Sequence, residues 1–124
     1  MILLEKTDIL EIHRRALAEH GGSPGLRDEG ALESAIAAVR NRIAYEEAGV
    51  IECAATYAFH LTQAHAFIDG NKRVGAAAML VFLAANDVDL RATEDELYDL
   101  FLSIASSAST RSDVEHWLRA RPPR

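Results

Sequence analysis

NKRVGAAAMLVFLAAN, residues 71–86, is apolar on nearly every side once Arg73 is passed. The run is shorter than the roughly 18 apolar residues that a membrane-spanning helix needs. A helix that is greasy all round but too short to span a bilayer belongs inside a protein core. The stretch therefore predicts a central helix, and the rest of the chain has to supply the helices that cover it.

The neighbouring segments read that way. Residues 50–65 carry Ile51, Ala54, Ala55, Ala58, Phe59 and Leu61, a wide apolar surface at helical spacing that predicts a third helix ending at His65. Nearer the start, Thr7 suits the N-cap of a first helix reaching about residue 20, with Gly21 and Gly22 as its stop. SPGLRD, residues 23–28, reads as a turn, and Asp28 can cap a second helix whose stripe is Leu32, Ala35, Ile36, Val39 and Ile43. DVDL, residues 87–90, reads as a short extended link. TEDE at 93–96 and SDVE at 112–115 both match the capping box, in which a hydroxyl and a carboxylate satisfy each other's backbone N–H groups. They predict a fifth helix and a short sixth. The expected architecture is all-α: one domain over residues 1–124, six helices around a buried one, with residues 119–124 as a flexible tail.

A chain of 124 residues is of single-domain size. It opens without a basic start or a small-residue cleavage site, so no secretory signal is read and the cytoplasm is the expected location. Cys53 is the single cysteine, which excludes an internal disulfide and makes a structural zinc site improbable. The net charge of −6 argues against broad nucleic-acid binding, which depends on clustered Lys and Arg.

Chemistry concentrates where the third helix gives way to the fourth, in HAFIDGNKR, residues 65–73. Gly70 leaves the main chain open to close approach. Asn71, Lys72 and Arg73 fall in the first turn of the fourth helix, where N–H groups lack intrahelical partners and the helix dipole is positive. That is an anion site, to which Arg73 adds a planar donor fork and Lys72 a point charge. Asp69 stands just ahead of it, suited to Mg²⁺, which takes few protein ligands and completes its shell with phosphate and water. An imidazole is mostly neutral at pH 7, so His65 can take a proton from an attacking hydroxyl. Phe67, two residues from His65 on one side and from Asp69 on the other, is expected to point inward and anchor the loop. The same residues also suit a plain turn, with Asn71 as N-cap and Lys72–Arg73 as a solvated pair. Against that, basic residues in a first helical turn oppose the dipole without structural return, a pattern commonest at functional sites.

HAFIDGNKR resembles the signature H-x-F-x-D-[A/G]-N-K-R of the Doc (death-on-curing) toxins, a branch of the Fic/Doc superfamily. The resemblance continues through HGGSPGLRDEGALESAI (20–36) and RIAYEE (42–47), and so covers most of the chain. It implies that His65 is the general base, Asp69 the Mg²⁺ ligand, Gly70, Asn71, Lys72 and Arg73 the nucleotide-phosphate-holding segment, and Phe67 the anchor. It further implies a toxin that moves the γ-phosphate of ATP to a threonine of elongation factor Tu and is restrained by a prevent-host-death-type antitoxin. The wider Fic pattern, H-P-F-x-x-G-N-G-R-x-x-R, belongs to AMP transfer. Here Ala66 replaces its proline, Lys72 its second glycine and Ala76 its second arginine, which disfavours the pose for AMP transfer. The inhibitory pattern [S/T]-x-x-x-E-[G/N] has one candidate ending, Glu29–Gly30, but Gly25 stands at its hydroxyl position. Adenylyl transfer and a non-catalytic anion- or antitoxin-binding module are the competing readings.

The remaining candidates read as structure. His13, His20 and His116 are expected at or near the surface without chemistry, Cys53 as a small core residue, and Asp28 with its acidic neighbours as a helix cap.

Overall fold

The computed structural model describes residues 1–121. Among them are six α-helices and no strand: α1 Lys6–His20, α2 Glu29–Glu46, α3 Val50–Gln63, α4 Asn71–Ala85, α5 Glu94–Ala105 and α6 Arg111–Arg119. Residues 87–90 form no extended element.

Caps set most of the helix starts. Asp28 Oδ1 accepts the Ala31 N–H at 3.0 Å. At α5 the expected box forms: Thr93 Oγ1 accepts from Glu96 N at 3.1 Å, and Glu96 Oε1 from Thr93 N at 3.0 Å. Two other starts differ from expectation. α1 is capped by Glu5 with Asp8 rather than by Thr7. α6 is boxed by Thr110 and Asp113, so Ser112 lies inside the helix. TRSD fits the same hydroxyl–x–x–acid pattern two residues earlier, and its use frees Glu115 to turn inward and accept from Arg42 Nη2 at 3.2 Å.

The centre of the fold also differs. α3 packs against α2, α4, α5 and α6, and residues 53–58 are buried without a break. α4 packs on α1, α3 and α5 but turns Val81, 44 % exposed, and Ala84 to solvent. The most enclosed helix is therefore α3, with α4 as its main partner. Alanine misleads here, because it adds to apolar periodicity yet loses little when exposed.

Gly75 explains how closely these two helices approach. A Cβ there would collide with Thr62 Oγ1 and sit 3.2 Å from the Ala58 carbonyl oxygen, so a larger residue would force α3 and α4 apart. Their contact fixes the spacing across the turn at residues 64–70. Cys53 is fully buried, and burial pushes its thiol pKa up. The segment expected as a tail from residue 119 is helical through Arg119, and the Arg121 guanidinium lies over the Trp117 ring at 3.8 Å and bonds Glu96. Residues 122–124 lie outside the described residues.

His60 carries a stability prediction. Burial first, then Arg111 and Arg42, holds its pKa below the usual 6.5. Arg111 Nη1 donates to its Nε2 at 3.3 Å, a bond that needs an unprotonated ring. Between the folded and unfolded pKa values the unfolded chain binds the extra proton, so stability falls as pH drops below about 6.5. In urea denaturation the parent chain should lose more stability between pH 7 and pH 5.5 than His60→Gln does. An equal loss in both would remove His60 from the acid response.

Candidate active site

α3 stops at Gln63, Ala64 closes it, and His65 takes a left-handed backbone conformation at φ 48. His65 thus stands past the end of the helix expected to include it, on an exposed corner. Its ring makes no hydrogen bond or ion pair among the described residues. Ala66 and Phe67 are buried. The 25–28 segment holds the turn from outside: Arg27 N and Asp28 N donate to the Ala66 carbonyl at 2.7 and 3.0 Å, and Ile68 N to that of Gly25 at 3.1 Å.

Inside the turn, the Asn71 side chain bridges both polar groups of Phe67. Its Oδ1 accepts from Phe67 N at 3.1 Å and its Nδ2 donates to Phe67 O at 2.9 Å. The amide of Asn71 is therefore spent on bracing, and what it can offer an anion is its backbone N–H. Gly70 is the N-cap of α4 at φ 82, a conformation that suits glycine, and no side chain among the described residues caps the helix. Lys72 and Arg73 are exposed and have no ion-pair partner among the described residues. The positive end of α4 is open.

Asp69 lies at the lip of this opening. Its Oδ1 accepts the Gly70 N–H at 2.8 Å and its Oδ2 the Ser23 N–H at 3.2 Å. Each oxygen meets one donor and keeps lone-pair capacity. No set of three or more His, Cys, Asp or Glu side chains converges among the described residues, so a cation here would depend on Asp69 and on the ligand's own oxygens. His65, Asp69, Gly70, Lys72 and Arg73 line one cleft of about 680 Å³, whose other wall is Leu97, Tyr98 and Phe101 of α5. That volume is in the range of small-molecule sites, about 300–1,000 Å³.

Sequence reasoning missed one residue of this corner. His13, expected at or near the surface, is 6 % exposed and lies beneath the turn. Its ring stacks on Phe67 at 3.9 Å, and its Nε2 is 2.9 Å from the Asp69 carbonyl oxygen. The usable signal was its four-residue spacing from the buried Ile9, which places an imidazole on the core face of α1.

The description "Fic/DOC family" belongs to a family model that matches residues 3–83, from the N-terminal segment through the turn and most of α4. The chain belongs to the Fic/DOC family. It is also 34% identical over 113 residues to the protein kinase doc of Escherichia phage P1, a match covering 90% of this chain and 89% of that protein. The family match takes in His13, the 21–28 loop and the whole polar corner. The α5 wall of the cleft lies beyond it, so in this Fic/DOC chain Leu97, Tyr98 and Phe101 complete the site from outside the matched span.

Proposed function

We propose that this Fic/DOC chain is a toxin-type protein kinase that transfers the γ-phosphate of ATP to a serine or threonine hydroxyl of a protein. The observation that carries the reading is the mouth of α4, uncapped by any side chain among the described residues, with an imidazole that bonds none of them and a carboxylate in the same cleft. Such a mouth binds phosphate oxygens through its N–H groups and dipole, and Lys72 and Arg73 add charge. His65 Nδ1 or Nε2 takes the hydroxyl proton as the oxygen attacks the γ-phosphorus. The bond from that phosphorus to the β,γ-bridging oxygen breaks, and ADP leaves with the electron pair. Asp69 suits Mg²⁺ in this setting, because the donor set is one carboxylate beside phosphate oxygens. The ion would neutralise charge on the transferring phosphates.

The similarity to a protein named as a kinase supports phosphate transfer over AMP transfer, as do Lys72 and Ala76 at positions where Fic enzymes carry glycine and arginine. Elongation factor Tu is the proposed target, and translation arrest the consequence. A prevent-host-death-type antitoxin is the proposed brake, since Gly25 breaks the pattern by which some relatives inhibit themselves.

Incubation with elongation factor Tu, Mg²⁺ and ATP labelled at either the α or the γ position tests this. Label from the γ position on the factor is expected. Label from the α position would make the chain an adenylyltransferase. Nucleotide binding with no label transferred would leave an anion-binding module.

A further inference from the structure

We propose that His13 is a positioning residue for the kinase site, locking the peptide between Asp69 and Gly70 in a single orientation. The inference rests on the kinase reading above, and it concerns a residue to which that chemistry gives no role. A carbonyl oxygen can only accept, so the short contact between His13 Nε2 and Asp69 O requires the proton on Nε2. The ring is held flat against Phe67, with an interplanar angle of 17°, and Phe67 is itself clamped at both its N–H and its carbonyl by Asn71. His13 therefore projects from a helix, α1, onto a braced platform, and its donor has one direction to point.

The peptide it grips needs such a restraint. Glycine accepts positive and negative φ about equally, so a peptide that precedes glycine can rotate about its long axis at little steric cost. Rotation of the Asp69–Gly70 peptide would break the Gly70 N–H bond to Asp69 Oδ1 and turn a peptide dipole around at the mouth of α4. Both consequences fall on the groups that would meet phosphate and cation. The histidine also occupies a place where burial alone would favour leucine, since Ile9, one turn earlier on the same face, is fully buried. The next residue of that row, Leu17, packs beside Gly22. A hydrogen-bonding ring in this row gives up apolar contact and gains control of one carbonyl.

Nitrogen-15 NMR of the complete chain reads the tautomer directly. A proton on Nε2 is expected, and a neutral ring protonated at Nδ1 alone would overturn the proposal. His13→Phe keeps the stacked ring and removes the donor. In that variant the Gly70 amide resonance should move or split and kcat should fall about 10- to 100-fold, as small misplacements of reacting groups do. His13→Gln, which can present an amide donor at similar reach, should bring back the parent Gly70 resonance and most of the turnover. A Phe variant with parent-like Gly70 resonance and turnover, or a Gln variant as impaired as Phe, would remove His13 from the site. If the parent transfers no phosphate, the kinase reading fails on its own, and the tautomer and the Gly70 resonance still decide the role of His13. If the Phe variant does not fold, the tautomer measured on the parent and the turnover of His13→Gln decide instead.

Discussion

His65→Ala is expected to lower phosphate transfer by about 10²–10⁴-fold, the range that general acid–base groups contribute. The fold should not suffer. His65 is exposed, and its ring has no hydrogen-bonding partner among the described residues whose loss could destabilise the chain. Its backbone is left-handed at φ 48, which costs an L-residue about 1–2 kcal/mol. Alanine inherits that cost unchanged. Glycine at the same position avoids it but gives back about 0.5–1 kcal/mol in extra chain entropy, so His65→Gly should be at least as stable as the parent. A strained, solvent-facing side chain whose removal leaves stability intact and abolishes turnover is retained for chemistry. Thermal melts and single-turnover transfer assays on the two variants check this together. Parent-like turnover in either variant would end the general-base assignment, and a lowered melting temperature in both would show that the ring is structural.

The sequence was informative where local physics decides and misleading where three-dimensional competition does. Asp28 and Thr93 were legible as caps because capping joins residues three apart in the chain. The start of α6 was read from SDVE, but TRSD two residues earlier fits the same box and is the one used, which leaves Glu115 to pair with Arg42, 73 residues away. The central helix was assigned to residues 71–86 because apolar periodicity cannot tell an alanine pressed into a core from one facing water. In the site, the turn and its residues could be read from nine letters. The use of the Asn71 side chain could not, since a bridge back to Phe67 looks the same in sequence as a free amide. His13 is 56 residues from the carbonyl it meets, and a lone histidine on a helix carries no mark of its distant partner.

Asp69→Asn separates the structural part this carboxylate plays from the cation-binding part proposed for it. As a structural acceptor it ties the turn at Gly70 and reaches across to the Ser23 N–H. Asparagine keeps one amide oxygen and so preserves the Gly70 bond. Its NH₂ then faces the Ser23 N–H, and losing that second bond costs about 1 kcal/mol. The helical circular-dichroism signal should persist and the melting temperature should fall only slightly. As a charged ligand, however, the group is gone. A carboxylate that places Mg²⁺ against the transferring phosphate is worth several kcal/mol of charge stabilisation, and at 1.36 kcal/mol per factor of ten, a loss of about 3–4 kcal/mol lowers turnover about 10²–10³-fold. Because the defect lies in cation affinity, part of the rate should return as Mg²⁺ is raised. Calorimetric titration of Mg²⁺ into the chain saturated with a non-hydrolysable ATP analogue should show weakened binding in the variant. Unchanged Mg²⁺ affinity would place the cation elsewhere. Loss of the helical signal together with activity would mean that Asp69 serves the turn alone, and the anion-binding mouth of α4 would then have to act with no protein ligand for the metal.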